Sequence, residues 1–135
     1  MELVFLALLF LLMMYALGSG YPVAFEDICL KEIVRLKKSF GARVKSVGLS
    51  GHHLGIAADV AGLALGAEWF ERHFTLDRTW KGTDHSASLE PDGLRRLVRD
   101  LNNVSLALAC KSSDLLAVEE VQRKKLKVSG SKIEE

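Results

Sequence analysis

The spacing of apolar and polar positions changes several times along the chain, and each change marks an element. Residues 3–17 (LVFLALLFLLMMYAL) carry no charge. Gly18, Ser19, Gly20, Tyr21 and Pro22 follow, a stretch in which glycine and proline interrupt regular structure. In residues 25–40 the apolar Ile28, Leu30, Ile33, Val34, Leu36 and Phe40 recur at mostly helical spacing. Glu26 and Asp27 lead that segment and Lys37 and Lys38 close it, the polarity that a helix dipole favours. Gly41 is then a natural residue just past the helix end. Residues 43–49 (RVKSVGL) begin as an alternation and predict a short strand, with residues 50–53 as a loop. Residues 54–65 (LGIAADVAGLAL) are small and apolar and predict a closely packed helix ended by Gly66. Residues 67–74 predict a second strand, after which the chain turns irregular. Ser88 can cap a further helix and Pro91 suits its first turn. That helix runs to about Leu108, with Leu94, Leu97, Val98, Leu101, Val104 and Leu108 on one stripe. Residues 111–135 are more polar and predict partial helix with a frayed end.

Strands alternating with helices at this spacing imply parallel βαβ units, hence an α/β fold. About three such units form a piece of a sheet or of a barrel, since a closed (β/α)8 barrel needs about 250 residues. A chain of 135 residues is enough for one domain. Three regions are expected: an apolar leader of open role over 1–20, the α/β part over 21–110, and a polar linker or tail over 111–135.

Composition narrows this little: 49% hydrophobic and 26% charged residues are ordinary for a globular protein. A net charge of +1 gives no electrostatic case for nucleic acid. The basic run at residues 122–127 (QRKKLK) reads as a solvated helix face or tail. Cys29 and Cys110 form no CxxC pair, which argues against a cysteine-based zinc site. Two reduced thiols are the expectation, although the count alone allows a disulfide. The apolar run at 3–17 has no Lys or Arg before it and is short for a span of about 20 residues. It reads as a buried strand or helix or as an unrelated start, with a signal or membrane anchor as the alternative. Cytoplasmic localisation is expected on the first readings, and a secreted or membrane-anchored protein on the last.

In parallel α/β arrangements, sites lie at the C-terminal ends of the strands. His52 follows the first predicted strand and His73 ends the second. One helix separates them, so their strands are expected to be neighbours about 4.8 Å apart. Two imidazoles on one mouth are within reach of one metal ion. Open coordination positions would suit a metal that polarises a carbonyl. His53 is an alternative to His52, and only one of the two is expected to point at the mouth. Asp77 and Asp84 can each hold a hydroxyl or move a proton, or simply form turns. Glu71 and Arg72 alternate, one toward the mouth and one outward. Trp80 covers a pocket or packs, and His85 reads as a loop residue with a solvent or substrate contact.

At these residues the sequence resembles the sialic acid synthase family. The resemblance is carried by YPVAFEDICL, GLSGHHLGIA and above all ALGAEWFERHFTLDRTWKGTDHSASLEPDGL. It covers about residues 21–126, most securely 47–98. It implies the family's (β/α)8 TIM-type barrel, which in the family a small antifreeze-like domain follows; this segment matches about the last three βα units, with the start of the linker beyond. It implies condensation of phosphoenolpyruvate with N-acetylmannosamine, or its 6-phosphate, assisted by divalent manganese or magnesium. The carbon–carbon bond forms, water adds, and phosphate leaves with C–O cleavage. His52 matches the family's first metal-binding histidine and His73 the second. Ser50 matches a serine on the phosphoenolpyruvate phosphate. Tyr21 and Asp84 match residues on the amino sugar, and His73 and Asp84 are the expected catalytic pair.

The departures are as informative. Where the family has a strand ending His-Cys-Thr-(Ser/Asn)-x-Tyr-Pro, this chain has Ala16, Leu17, Gly18, Ser19 and Gly20 before Tyr21. The groups that grip phosphoenolpyruvate from other barrel units have no counterpart among these residues. The expectation is therefore little or no synthase activity from the 135 residues alone, and association with a second copy or a full-length synthase. A rival expectation is a non-catalytic interaction fragment that keeps the histidine pair.

Overall fold

A computed structural model describes residues 13–17 and 22–130. Three strands form one sheet in the order β1 (Met13–Leu17), β2 (Ser46–Gly51), β3 (Trp69–Arg72), with both pairings parallel. The alternation of strand and helix is therefore as expected, and the last part of the uncharged run is a strand paired along β2. The rest of that run, residues 3–12, lies outside the described residues, as do Ser19 and Tyr21. Among the described residues, no helix is long and apolar enough to cross a membrane.

All six residues of β2 are buried, as fits the central strand of a parallel sheet. Val47 and Leu49 alternate with Ser46, Gly48 and Ser50, and the apolar pair meets helix α1 (Lys31–Phe40). Ile33 and Leu36 of α1, with Val47, Leu49 and Ala67, form the main core; Leu30, Phe40, Val44, Leu65 and Phe70 pack against it. A smaller cluster joins Val23 and Ile28 to Ala58 of helix α2 (Ala57–Ala64). Helix α3 (Pro91–Ala107) packs on α2, and helix α4 (Ala117–Gly130) follows.

Several local expectations are corrected. Residues 25–40 are not one helix: a 3-10 turn at Phe25–Asp27 is separated from α1 by Cys29, whose φ of 50° is left-handed. One such residue cannot continue a right-handed helix. Gly41 stays in the right-handed region at φ −54°, with its N–H donating to the Lys37 carbonyl, so the chain winds on into a turn. Gly66 does end its helix left-handed, at φ 100°. The first predicted strand runs later than expected and takes in Ser50 and Gly51. Ser88 does not cap α3; its hydroxyl donates instead to the Asp84 carbonyl at 2.7 Å. Of the α3 stripe only Leu97 is buried, and Leu94, Val98 and Leu108 are exposed. Both cysteines are exposed free thiols.

Candidate functional site

The parallel register sets the site. Ser50 of β2 pairs with Glu71 of β3, and Gly51 with Arg72, so the two strands end level. His52 leaves β2 one residue past this register and His73 leaves β3 at the same height. Their rings meet with centroids 5.1 Å apart at an interplanar angle of 72°. A cation about 2.1 Å from one nitrogen of each ring lies about 3.2 Å from each ring centre; two rings on one cation are then about 4.6–5.3 Å apart, for bond angles from right-angled to tetrahedral. The observed separation falls inside that span, so the pair fits joint ligation of one ion.

Each imidazole has a polar neighbour. Ser50 Oγ lies 3.1 Å from His52 Nε2. Asp84 Oδ2 lies 3.8 Å from His73 Nδ1, too far for a direct hydrogen bond but close enough for electrostatic attraction. Side chains at this position commonly orient a ligating histidine. Asp84 and His73 are 46% and 39% exposed, which leaves the site open to a solute. Among the described residues, no group of three or more His, Cys, Asp or Glu side chains converges as a metal cage. The Val23 N–H donates to the His52 carbonyl at 2.9 Å, so the chain after the first break passes directly beside the site.

The two adjacent histidines diverge, as a loop should make them. His53 is 1% exposed and turns inward to Asp59 of α2, with Nε2 and Oδ2 3.1 Å apart. Glu71 is exposed, while the side chain of Arg72 is only 3% exposed and joins the same buried group. Residue-type reasoning missed this group. A lone aspartate within the small apolar run LGIAADVAGLAL was the available signal, because a carboxylate is seldom fully buried unless paired.

The loop between β3 and α3 is pinned at its neck. The Leu89 N–H donates to the His73 carbonyl at 2.8 Å, the Thr75 N–H donates to the Leu89 carbonyl at 3.0 Å, and Phe74 and Leu89 form a parallel bridge. Within the loop, Asp77 is a turn former: its Oδ1 accepts from the Thr79 N–H at 2.8 Å and the Thr79 hydroxyl at 2.7 Å. Those bonds hold its carboxyl below the ordinary range, the hydroxyl contributing most. His85 packs against Gly82, where a Cβ would come within 2.0 Å of Nδ1, and that nitrogen is buried without a hydrogen-bond partner. It is a packing residue more than a solvent contact. Trp80 is exposed. Of the residues singled out from the sequence, Ser50, His52, His73 and Asp84 thus come together, and Asp77 does not join them.

Known proteins share this arrangement of sequence. The N-acetylneuraminate-9-phosphate synthase of Homo sapiens is 48% identical over 108 residues, covering 80% of this chain and 30% of that protein. The N,N'-diacetyllegionaminic acid synthase of Campylobacter jejuni is 41% identical over 90 residues, covering 67% of this chain and 26% of that one. The chain therefore spans about a third or less of the length of these relatives. The crystal structure of a sialic acid synthetase from Leptospira borgpetersenii serovar Hardjo-bovis superposes with a TM-score of 0.69 at 30% identity, covering 84% of this chain and 39% of that one. A family model, that of the NeuB family, matches residues 10–113. That match begins ahead of β1, ends beyond α3 and contains every residue of the histidine site, and the chain belongs to the NeuB family.

Proposed function

We propose that this chain is a sector of a nonulosonic acid synthase barrel, about three βα units, which carries the metal-binding part of the mouth. The observation that carries the reading is the His52–His73 pair, 5.1 Å apart at the level ends of neighbouring parallel strands. Its support from relatives is that sialic acid and related synthases match across this region. The reaction is the condensation of phosphoenolpyruvate with N-acetylmannosamine or its 6-phosphate, a carbon–carbon bond-forming transfer. The outer edges of β1 and β3 are where further strands of a barrel would join, supplied by a full-length synthase or a second copy.

In this reading His52 and His73 hold a divalent manganese or magnesium ion. When bound, that ion supplies Lewis-acid polarisation of a substrate carbonyl. Ser50 steadies the His52 ring and offers its hydroxyl to the phosphate of phosphoenolpyruvate. Asp84 stands beside His73, with an exposed carboxylate able to accept from a sugar hydroxyl and to take part in proton transfer. Tyr21 is assigned to the sugar as well. The cytoplasm is the proposed compartment, with secretion or anchoring through residues 3–17 as the alternative. The pairing of Met13–Leu17 along β2 supports a sheet role for the end of that run.

Manganese titration of the 135-residue chain tests the pair. Wild type is expected to bind one ion, and His52→Ala and His73→Ala to bind it at least tenfold more weakly. Equal affinity in all three removes the metal assignment. Phosphate release from phosphoenolpyruvate with N-acetylmannosamine is expected to be near background for the chain alone and to rise when the missing barrel units are added as a second polypeptide. No rise in a complex that has formed counts against the synthase reading.

A further inference from the structure

Behind the histidine pair lies a buried polar group that no part of the proposed chemistry uses. Arg72 is the residue before His73, and His53 is the residue after His52. Asp59 lies in the first turn of α2 and is 0% exposed. The donors and acceptors can be counted. Arg72 Nη1 donates to Gly55 O at 2.9 Å and to Asp59 Oδ2. Arg72 Nη2 donates to His53 O at 2.7 Å and to Ala87 O at 3.4 Å. These four bonds use all four hydrogens of the two terminal nitrogens. His53 Nε2 is also 3.2 Å from Arg72 Nη1. It cannot accept from that nitrogen and donate to Asp59 in the same tautomer. The carboxylate oxygen 3.1 Å away favours the Nε2–H form, which donates to Asp59.

The guanidinium therefore ties three pieces of chain to the end of β3. They are the loop after β2 at His53 and Gly55, the start of α2 at Asp59, and the loop before α3 at Ala87, with Arg72 itself ending β3. Gly51 shows how closely the group is fitted. A Cβ there would come within 2.7 Å of Arg72 Cδ, 3.0 Å of His53 Cε1 and 3.1 Å of Asp59 Oδ1.

We propose that Arg72, held by Asp59 and His53, is the positioning residue that sets the distance between the His52 and His73 rings. The inference rests on the metal-site reading above. Its physical basis is that each ring is one peptide unit from an anchor of the same guanidinium. His73 follows Arg72 directly, and the His53 carbonyl that caps Arg72 Nη2 follows His52. Loss of the fork frees the two loop ends to move apart, and a ligand pair set about 1 Å too wide binds an ion poorly. Outer partners of metal ligands are typically worth about 10–100-fold in affinity.

The test uses the full chain and three variants, with two probes of the metal. Manganese affinity is read from the resonance of the free ion, and site geometry from the visible absorption of bound cobalt. Arg72→Lys keeps a positive charge beside Asp59 but replaces the fork with one donor point. It is expected to melt cooperatively, to bind manganese about 10–100-fold more weakly, and to shift the cobalt bands. Asp59→Asn keeps the shape but removes the charge that holds Arg72 and His53. It is expected to weaken binding severalfold with the fold intact. Ile33→Val lowers stability from the main core, at a residue that is no partner of the Arg72 fork, and is expected to leave both metal readouts unchanged. Wild-type affinity and wild-type cobalt bands in folded Arg72→Lys and Asp59→Asn overturn the positioning role while leaving the histidine site standing. A wild-type chain that binds neither ion removes the site and this inference together. Equal losses in Ile33→Val show a general loss of structure and also overturn it.

Discussion

Gly51 gives the sharpest quantitative forecast. It is a β2 residue, paired with Arg72, and its φ is not in the left-handed region. Alanine is therefore allowed by the backbone, and in a strand it gains about 0.5–1 kcal/mol over glycine. Against this stands the contact distance. A methyl group at 51 would lie 2.7 Å from Arg72 Cδ. That carbon is the last methylene before the guanidinium, in a side chain only 3% exposed whose terminal nitrogens are committed to four acceptors. It cannot swing away as a free surface lysine would. Overpacking of this kind costs about 1–3 kcal/mol. With mid-range values the net expectation for Gly51→Ala is a loss of about 1.2 kcal/mol. With a urea slope near 1.5 kcal/mol per molar, the midpoint falls by about 0.8 M.

Gly93→Ala is the matched control. It lies in α3, where a Cβ would meet Leu89 Cδ2 at 3.3 Å, the far end of a side chain. Helix propensity favours alanine by about 0.8–1.0 kcal/mol, so this variant is expected to gain about 0.5 kcal/mol after a small adjustment of Leu89. Both substitutions narrow the unfolded ensemble alike. The two midpoints should therefore move in opposite directions. If Gly51→Ala moves upward as far as Gly93→Ala, the close-fitting picture of the Arg72 group is wrong.

Two further outcomes can be checked on the same protein. Leu49→Ala, in the centre of the main core at 1% exposure, is expected to lose about 2–5 kcal/mol by urea unfolding; a loss below about 1 kcal/mol would mean that the core collapses around the gap. Asp77 is expected to titrate below its ordinary 3.8, chiefly because the Thr79 hydroxyl donates to it. Its folded value is depressed, so its contribution is present above the unfolded value and is lost as pH falls through the folded one. Thr79→Val should bring the titration midpoint, followed by carboxyl NMR, back upward, and an unmoved midpoint would remove the hydroxyl as the cause.

The parts of this molecule that were legible in the sequence are those set by periodicity and by order along the chain. One helix between two strands makes the strands parallel neighbours, and that alone brings His52 to His73. Val47 and Leu49 also announced β2 as a strand, but not its burial along all six residues nor its extension through Ser50 and Gly51. What stayed hidden depends on contacts between elements. The left-handed Cys29 sits inside a helical pattern that gives no warning of a break. Ser88 looked like a cap because its type suits one, yet the Asp84 carbonyl competes for its hydroxyl. The α3 stripe has the right period for burial, but among the described residues only part of it meets α2. Arg72 and His53 each read as one of an alternating pair, and nothing local says that both turn to the same aspartate.

The closed neck of the β3–α3 loop has a consequence for how this site can change. The bonds from Leu89 to His73 and from Thr75 to Leu89 hold the backbone of His73 from outside the loop's tip. Residues such as Trp80, Lys81 and Gly82 can then be exchanged, lengthened or shortened while the backbone of His73 stays where it is. Asp84, inside the loop, travels with the exchanged part. On the proposed reading, ion binding and sugar preference would thereby sit on separable pieces of chain, and selection for a new acceptor sugar could act on the tip without reinventing the ion site.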